Sequence, residues 1–234
     1  MSTVALIPAR GGSKGLKRKN IIDLAGSPLI AYSIQSALEC NLIDRVIVST
    51  DDEEIARTSV DFGAEVPFIR PDYLSNDTAK SIDVISHAIR KLEEEGTTVD
   101  NIVLLQPTSP LRTSEHITEA LTLFFEKGRS PVVSVAEAQT HPFIVKKVVD
   151  QKLEDFVSDK PAITRRQDFE KLFQLNGAIY ATTKEMVLEK NTIYDEVVYP
   201  YYMDKLSSVD IDDEYDLVYA ETLLNKYFGG NIHG

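Results

Sequence analysis

The residues best placed to do chemistry come first in the chain. A short apolar run, Val4 to Ala9, leads directly into Arg10-Gly11-Gly12-Ser13-Lys14-Gly15-Leu16-Lys17-Arg18-Lys19-Asn20, which holds five cations in ten residues and no acid before Asp23. Glycines let backbone N–H groups approach phosphate oxygens and the cations offset phosphate charge, so a triphosphate suits the loop; the alternative is a solvated basic turn. The spacing is neither a P-loop nor G-x-G-x-x-G, which disfavours a kinase or a nicotinamide dehydrogenase. Near the other end, Asp210 and Asp212 alternate within Val209-Asp210-Ile211-Asp212-Asp213, a pattern that predicts a short strand with both carboxylates on one face. Paired carboxylates repel unless a cation lies between them, and a hard cation takes oxygen ligands, phosphate and water. The pair reads as a metal site, or else as the solvated side of an edge strand with Ile211 facing the core. Asp213 and Glu214 read as acids at the start of a terminal helix.

The elements that must hold these groups follow from periodicity. Short Val/Ile-rich runs predict strands at 4–9, 45–50, 65–70, 101–106 and 131–136, with helices at 28–40, 52–62, 81–95 and 114–127 between them. This alternation gives an α/β, doubly wound, mostly parallel sheet, with ligands at the carboxyl ends of the strands. The strand ending in Leu104-Leu105-Gln106 stops at Pro107 and Pro110, forcing an irregular turn at that edge. From about 137 to 173 the alternation breaks into an extended hairpin, an inserted lobe within one domain spanning 1–234. A further strand and helix (LNGAIYATTKEMVLEK) and a short strand feeding a terminal helix complete the chain, and the tail GGNIHG has little to pack.

Composition narrows the partners. A net charge of -12 disfavours nucleic acid and anionic membranes, so an anionic ligand must find a local basic pocket. The lone Cys40 cannot form an internal disulfide, which favours a reducing compartment. No apolar stretch approaches the roughly 20 residues that span a bilayer, so the expected location is the cytoplasm. The four histidines are scattered, His141 belongs to the insert's turn, and no Ser/His/Asp or Cys/His arrangement emerges.

The motif IPARGGSKGLKRKNI resembles the opening of the acylneuraminate cytidylyltransferases, the CMP-sialic acid synthetases and relatives such as the CMP-legionaminic acid synthetases. The resemblance continues in order through VSTDDEEIA, FIRPDYLSNDTAKS, LLQPTSPLR, RRQ, NGAIY and SVDIDDEYDL, covering essentially the whole chain. It implies a Rossmann-like nucleotidyltransferase fold and transfer of CMP from CTP to the anomeric hydroxyl of a nonulosonic acid, with pyrophosphate released. By the same resemblance Arg10, Lys14 and Lys19 hold the triphosphate, while Asn20, Arg70 and Ser81 contact the nucleotide. Taken alone, Arg70 would more often be a surface ion-pair partner and Ser81 a helix cap; only the motif context reverses this. Gln106 and Thr108 face the sugar or merely stabilise their turn; Arg166 and Tyr180 bind substrate, arginine being suited to a sugar carboxylate. Asp210 and Asp212 hold magnesium, with manganese as the alternative, and Lys14, Lys19 and Asp212 are the catalytic set.

A homodimer is implied too, each insert reaching over the partner's cleft so that Arg166 serves the neighbouring site. Two departures leave the sugar open among sialic, legionaminic, pseudaminic and Kdo acids: Gln174 stands where an arginine is common before NGAIY, and Ile144 where a lysine is expected, with Lys146 and Lys147 slightly later. A reading of a different class is a nucleotide-sugar-binding protein without catalysis.

Overall fold

The computed structural model describes residues 1–13, 15–158, 165 and 169–227. The first half runs β1 (Thr3–Pro8), β2 (Asp23–Leu24), β3 (Ser27–Pro28), α1 (Leu29–Leu38), β4 (Arg45–Ser49), α2 (Glu53–Asp61), α3 (Ser81–Glu94), β5 (Asn101–Leu105) and α4 (Ser114–Glu126). The second half adds β6 (Val132–Glu137), β7 (Lys146–Val149), β8 (Lys152–Asp155), β9 (Phe173–Thr183), α5 (Lys184–Leu188), β10 (Tyr199–Tyr202) and α6 (Glu214–Tyr227).

The central sheet has the order β10-β6-β9-β5-β1-β4. Every neighbouring pair is parallel except those made by β9, which runs antiparallel between β5 and β6. Sandwiching explains the continuous apolar runs: β1, buried along its length up to Pro8, sends Ala5 and Ile7 to one face and Val4 and Leu6 to the other. On the first face Ile30 and Ile34 of α1, Ile55 of α2 and Leu121 and Phe124 of α4 pack together. On the second, Ile85, Ile89 and Leu92 of α3 meet Val187 of α5. A third cluster joins Leu16, Leu24, Leu29, Leu111, Val209 and Ile211 to Leu223 and Leu224 of α6. That cluster fastens both ends of the chain to the edge where the site lies. Cys40 is buried, with Sγ 3.3 Å from the Thr118 hydroxyl, as a packed thiol would be.

The predicted fold class is the observed one, and the strand and helix limits move by only a residue or two in most elements. The strand expected at 65–70 forms no continuous ladder. Glu65 and Arg70 do bond to the β4 edge, but Pro67 between them has no N–H to donate, so only isolated bridges remain. The short strand expected around Asp210 does not form: residues 209–212 belong to no ladder. β10 was not visible as a strand, because Tyr-Pro-Tyr-Tyr carries a proline and stands at the sheet edge. The insert contains the expected hairpin as β7 and β8. The tail from 228 onward lies outside the described residues. Among the described residues, no helix is long and apolar enough to cross a membrane.

Asp52 begins α2 by accepting the backbone N–H groups of Glu54 and Ile55 at 2.9 and 3.0 Å. Burial pushes its carboxyl up, but those N–H groups and the Arg18 guanidinium outweigh this and hold it below the usual range. Its folded pKa therefore lies below the unfolded value, so its stabilisation is present above the unfolded pKa and is lost as pH falls through the folded one. Asp52→Ala is expected to cost about 1 kcal/mol in thermal or urea unfolding near neutrality, the usual loss for an N-cap. The difference from wild type should close in acid, and Asp52→Asn should retain most of the cap.

Candidate active site

The basic loop leaves β1 at the carboxyl edge of the sheet and is clamped at its base. The side-chain amide of Asn20, itself buried, donates to the Arg10 carbonyl at 2.9 Å, so the group expected to touch a nucleotide is engaged in holding the loop. The Gly11 N–H donates to Asp51 at 3.0 Å, and a Cβ on Gly11 would come within 2.8 Å of the Asp52 carboxylate. Arg18, in the left-handed region with φ 55°, bonds to Asp52 at 3.2 and 3.3 Å and pairs with Glu54 at 2.7 Å. Arg10 pairs with Asp77 at 2.7 Å. Lys19 Nζ donates to the Ile211 carbonyl at 3.0 Å and to Asp212 at 3.1 Å. The loop that lacks local acids thus meets carboxylates delivered by the end of β4, the start of α2, the segment before α3 and the segment before α6. Its closest approach is at Gly15, where a Cβ would lie 2.3 Å from the Asp212 carbonyl oxygen; only glycine fits there. Lys14 lies outside the described residues.

Beside the loop is a cavity of about 250 Å³ in which Arg10, Arg70 and Ser81 share a wall with Pro8, Val84 and Ile85. Apolar walls with a few convergent polar groups are the usual makeup of a small-ligand site. Arg70 is not a surface ion-pair partner: its side chain is 3% exposed, and its contact with Asp51 is a long 3.6 Å. Its Nε donates to the Ser75 hydroxyl at 3.1 Å. Burial lowers its pKa, with Asp51 acting the other way, which leaves a buried cation short of a close counter-charge. Ser81 is the first residue of α3, one past the capping position held by Lys80.

Beyond the loop, the Ile211 N–H donates to the Thr108 carbonyl at 2.9 Å. This one bond, with Val209 and Ile211 buried, reproduces the alternation expected of a strand and leaves Asp210 and Asp212 exposed. Although the residue as a whole is exposed, the protein around the Asp210 carboxyl displaces water and pushes it up; the nearby Thr108 hydroxyl acts the other way, and repulsion from Asp212 raises it further. Burial also raises the Tyr180 phenol, with smaller contributions from Tyr194 and Asp210, so the phenol stays protonated at neutral pH. Gln106 lies against Gly177, where a Cβ would be 3.1 Å from its Oε1. Gln106, Thr108 and Tyr180 therefore gather where the pairing of β5 with β9 stops, near Asp210.

Among the described residues, no group of three or more His, Cys, Asp or Glu could hold a metal by itself. Asp210 and Asp212 supply two carboxylates, and the like-charge repulsion that raises Asp210 is what a bound divalent cation would relieve. That donor set fits a hard cation completing its shell with phosphate oxygens and water. Arg166 lies outside the described residues. Lys146 and Lys147 are engaged across the hairpin with Asp155 and Glu154. Three residues left without a role by the sequence pattern turn out to shape the site: Asp51 joins Gly11 to Arg70, Asp52 holds Arg18, and Arg112 lies fully buried behind the Gln106 turn. The acids directly after β4 were the available signal for the first two; an arginine after Pro110-Leu111 gave none.

The family model described as Cytidylyltransferase matches residues 4–223. The chain is 35% identical over 235 residues to a CMP-N,N'-diacetyllegionaminic acid synthase of Legionella pneumophila, covering 96% of this chain and 97% of that protein. It is 38% identical over 226 residues to an N-acylneuraminate cytidylyltransferase of Escherichia coli, spanning 95% of this chain but 52%, about half, of that longer protein. A pseudaminic acid cytidylyltransferase of Campylobacter jejuni is 34% identical over 224 residues, covering 95% of this chain and 96% of its own length. Among solved structures, a CMP:2-keto-3-deoxy-manno-octonic acid synthetase complexed with CTP superposes with TM-score 0.73 at 17% identity, over 97% of this chain and 99% of that one. A 4-diphosphocytidyl-2C-methyl-D-erythritol synthase from Anaerococcus prevotii gives 0.65 at 14% identity, over 96% and 99%; at such identities these two attest the fold. With a match along nearly its whole length and a loop, cavity and carboxylate pair assembled on one sheet edge, the chain belongs to the cytidylyltransferase family.

Proposed function

We propose that this protein transfers CMP from CTP to the anomeric hydroxyl of a nonulosonic acid of the N-acylneuraminate type, releasing pyrophosphate. The observation that carries the reading is the continuity of the site: one loop reaches from the Arg10–Arg70–Ser81 cavity to Asp210 and Asp212. The cavity accepts the nucleoside end, where the buried Arg70, held by Asp51 at only 3.6 Å, can take a second anionic partner. The loop's N–H groups and cations hold the triphosphate and stabilise the departing pyrophosphate. Lys19 now bonds Asp212, and its Nζ can exchange that partner for a phosphate oxygen. Gln106, Thr108 and the protonated Tyr180 orient the sugar for in-line attack by its hydroxyl on the α-phosphate, a step in which positioning supplies much of the rate. Magnesium held by Asp210 and Asp212 would neutralise phosphate charge and lower the pKa of the attacking hydroxyl. Legionaminic, pseudaminic and Kdo acids are the competing sugars, and relatives named for the first two are similarly distant from this chain.

We further propose a homodimer. The insert and the adjoining strands expose the apolar side chains Val148, Leu153, Phe156, Phe173, Leu175 and Tyr202, which a subunit interface would cover. In that assembly Arg166 would serve the partner's cleft. The cytoplasm is the proposed location, where a lone buried thiol stays reduced.

Pyrophosphate release with CTP, magnesium and each of the four sugars names the substrate. Asp212→Ala should lower turnover on the order of 100-fold or more, the loss typical of one preorganised electrostatic element. Silence with every sugar while CTP still binds would instead favour a binding protein. Gly15→Ala should weaken CTP in calorimetric titration and also lower the melting temperature, because the added Cβ meets the Asp212 backbone and pushes apart the loop and the segment it packs against. Light scattering should report a dimer at micromolar concentration, and a monomer there would refute the proposed assembly.

A further inference from the structure

We infer that Arg112 is a positioning residue for the sugar side of the site, acting through the backbone of Gln106 and Ala178; the inference rests on the function proposed above. β5 and β9 pair as far as Leu105 and Ile179. Beyond that point β9 departs from regular pairing: its register against β6 shifts between Val133 and Val135, and Gly177 adopts φ 77°. The strands separate where the cleft opens, so the carbonyls of Gln106 and Ala178 lose their place in the ladder. Arg112 replaces it. Its Nη1 donates to the Gln106 carbonyl at 3.1 Å and to the Ala178 carbonyl at 2.9 Å. Its Nη2 donates to the Ser33 hydroxyl at 2.6 Å, and that hydroxyl in turn donates to the Gln106 carbonyl at 3.2 Å. One planar fork thus ties the end of β5, the irregular part of β9 and α1 together.

The arrangement is costly, which is the reason to look for a use. Arg112 is 2% exposed, its acceptors are all neutral, and its Nε has no partner. Burial, with no acid to offset it, lowers its pKa. A buried cation without a carboxylate is strongly unfavourable as a rule, so fold stability alone gives it little justification. What it fixes is the separation of two segments that carry Gln106 and Thr108 on one side and Tyr180 on the other. Lysine keeps the charge but has one nitrogen and no fixed fork, and it cannot hold both carbonyls and the hydroxyl in one plane.

The test compares wild type, Arg112→Lys and Arg112→Met by pyrophosphate release at varied sugar and varied CTP, together with hydrogen exchange. Arg112→Lys is expected to lower kcat/KM for the sugar about 100-fold, as small misplacements of reacting groups do, while CTP affinity by calorimetry stays within about threefold. Amides of Gln106 to Arg112 and of Gly177 to Ile179 should exchange faster, with β1 and α3 unchanged. Equal loss of kcat with both KM values unaltered would mean only fewer folded molecules and would overturn the assignment, as would full sugar activity in Arg112→Lys. Should wild type prove inactive with every sugar, the proposed function fails separately, and the exchange pattern still decides whether Arg112 holds the two segments.

Discussion

Everything at the site depends on the contact between the basic loop and the segment around Asp212. Leu16 and Ile211 are buried in one apolar cluster with α6, and that burial brings a cationic loop and an acidic segment, nearly 200 residues apart in sequence, into hydrogen-bond range. Lys19 bonds both the Ile211 carbonyl and Asp212, and Gly15 leaves no room for a side chain against the Asp212 backbone. The electrostatic attraction between the segments is exposed and weak by itself. Apolar packing places them, and the charges then set the detailed geometry.

The same logic governs the second half of the cleft. Thr108 accepts the Ile211 N–H through its carbonyl, so the turn after β5 and the segment carrying the carboxylate pair form one unit. Pro107 and Pro110 prevent that turn from continuing as strand, and Arg112 satisfies the carbonyls freed by doing so. Asn176 completes the framework from β9: its amide donates to Ser208 at 2.9 Å and its carbonyl oxygen accepts from Ser134 at 2.6 Å. Most buried polar groups in this region are thus joined in a network that fixes the mouth of the sheet, with the Arg112 Nε and the Ser109 hydroxyl left unpartnered.

Arrangement also changes what individual charges mean. Asp51 and Asp52 follow β4 directly; one links Gly11 to Arg70 and the other caps α2 while holding Arg18. Without them the loop cations would repel one another in a chain that otherwise carries a large negative excess. Arg70, by contrast, has only the long 3.6 Å contact with Asp51 to offset its burial beside the cavity, so an incoming anion would improve its pairing.

What the sequence by itself determined was local. Continuous Val/Ile runs demanded strands buried on both faces, amphipathic stretches demanded covering helices, and glycines among cations demanded a phosphate-type loop, since periodicity and conformational freedom are properties of neighbouring residues. Failures came where neighbours were not enough: Pro67 interrupted an expected strand for want of one N–H, Tyr199 to Tyr202 became a strand only because β6 offered an edge, and Asp210 kept its alternation through a single bond to Thr108. Only the tertiary structure decided which acids answer the basic loop, that Asn20 is occupied by the Arg10 carbonyl, and that Arg112 is buried behind the turn. Those outcomes depend on distances between segments far apart in the chain, which packing of the three apolar clusters sets and no local pattern encodes.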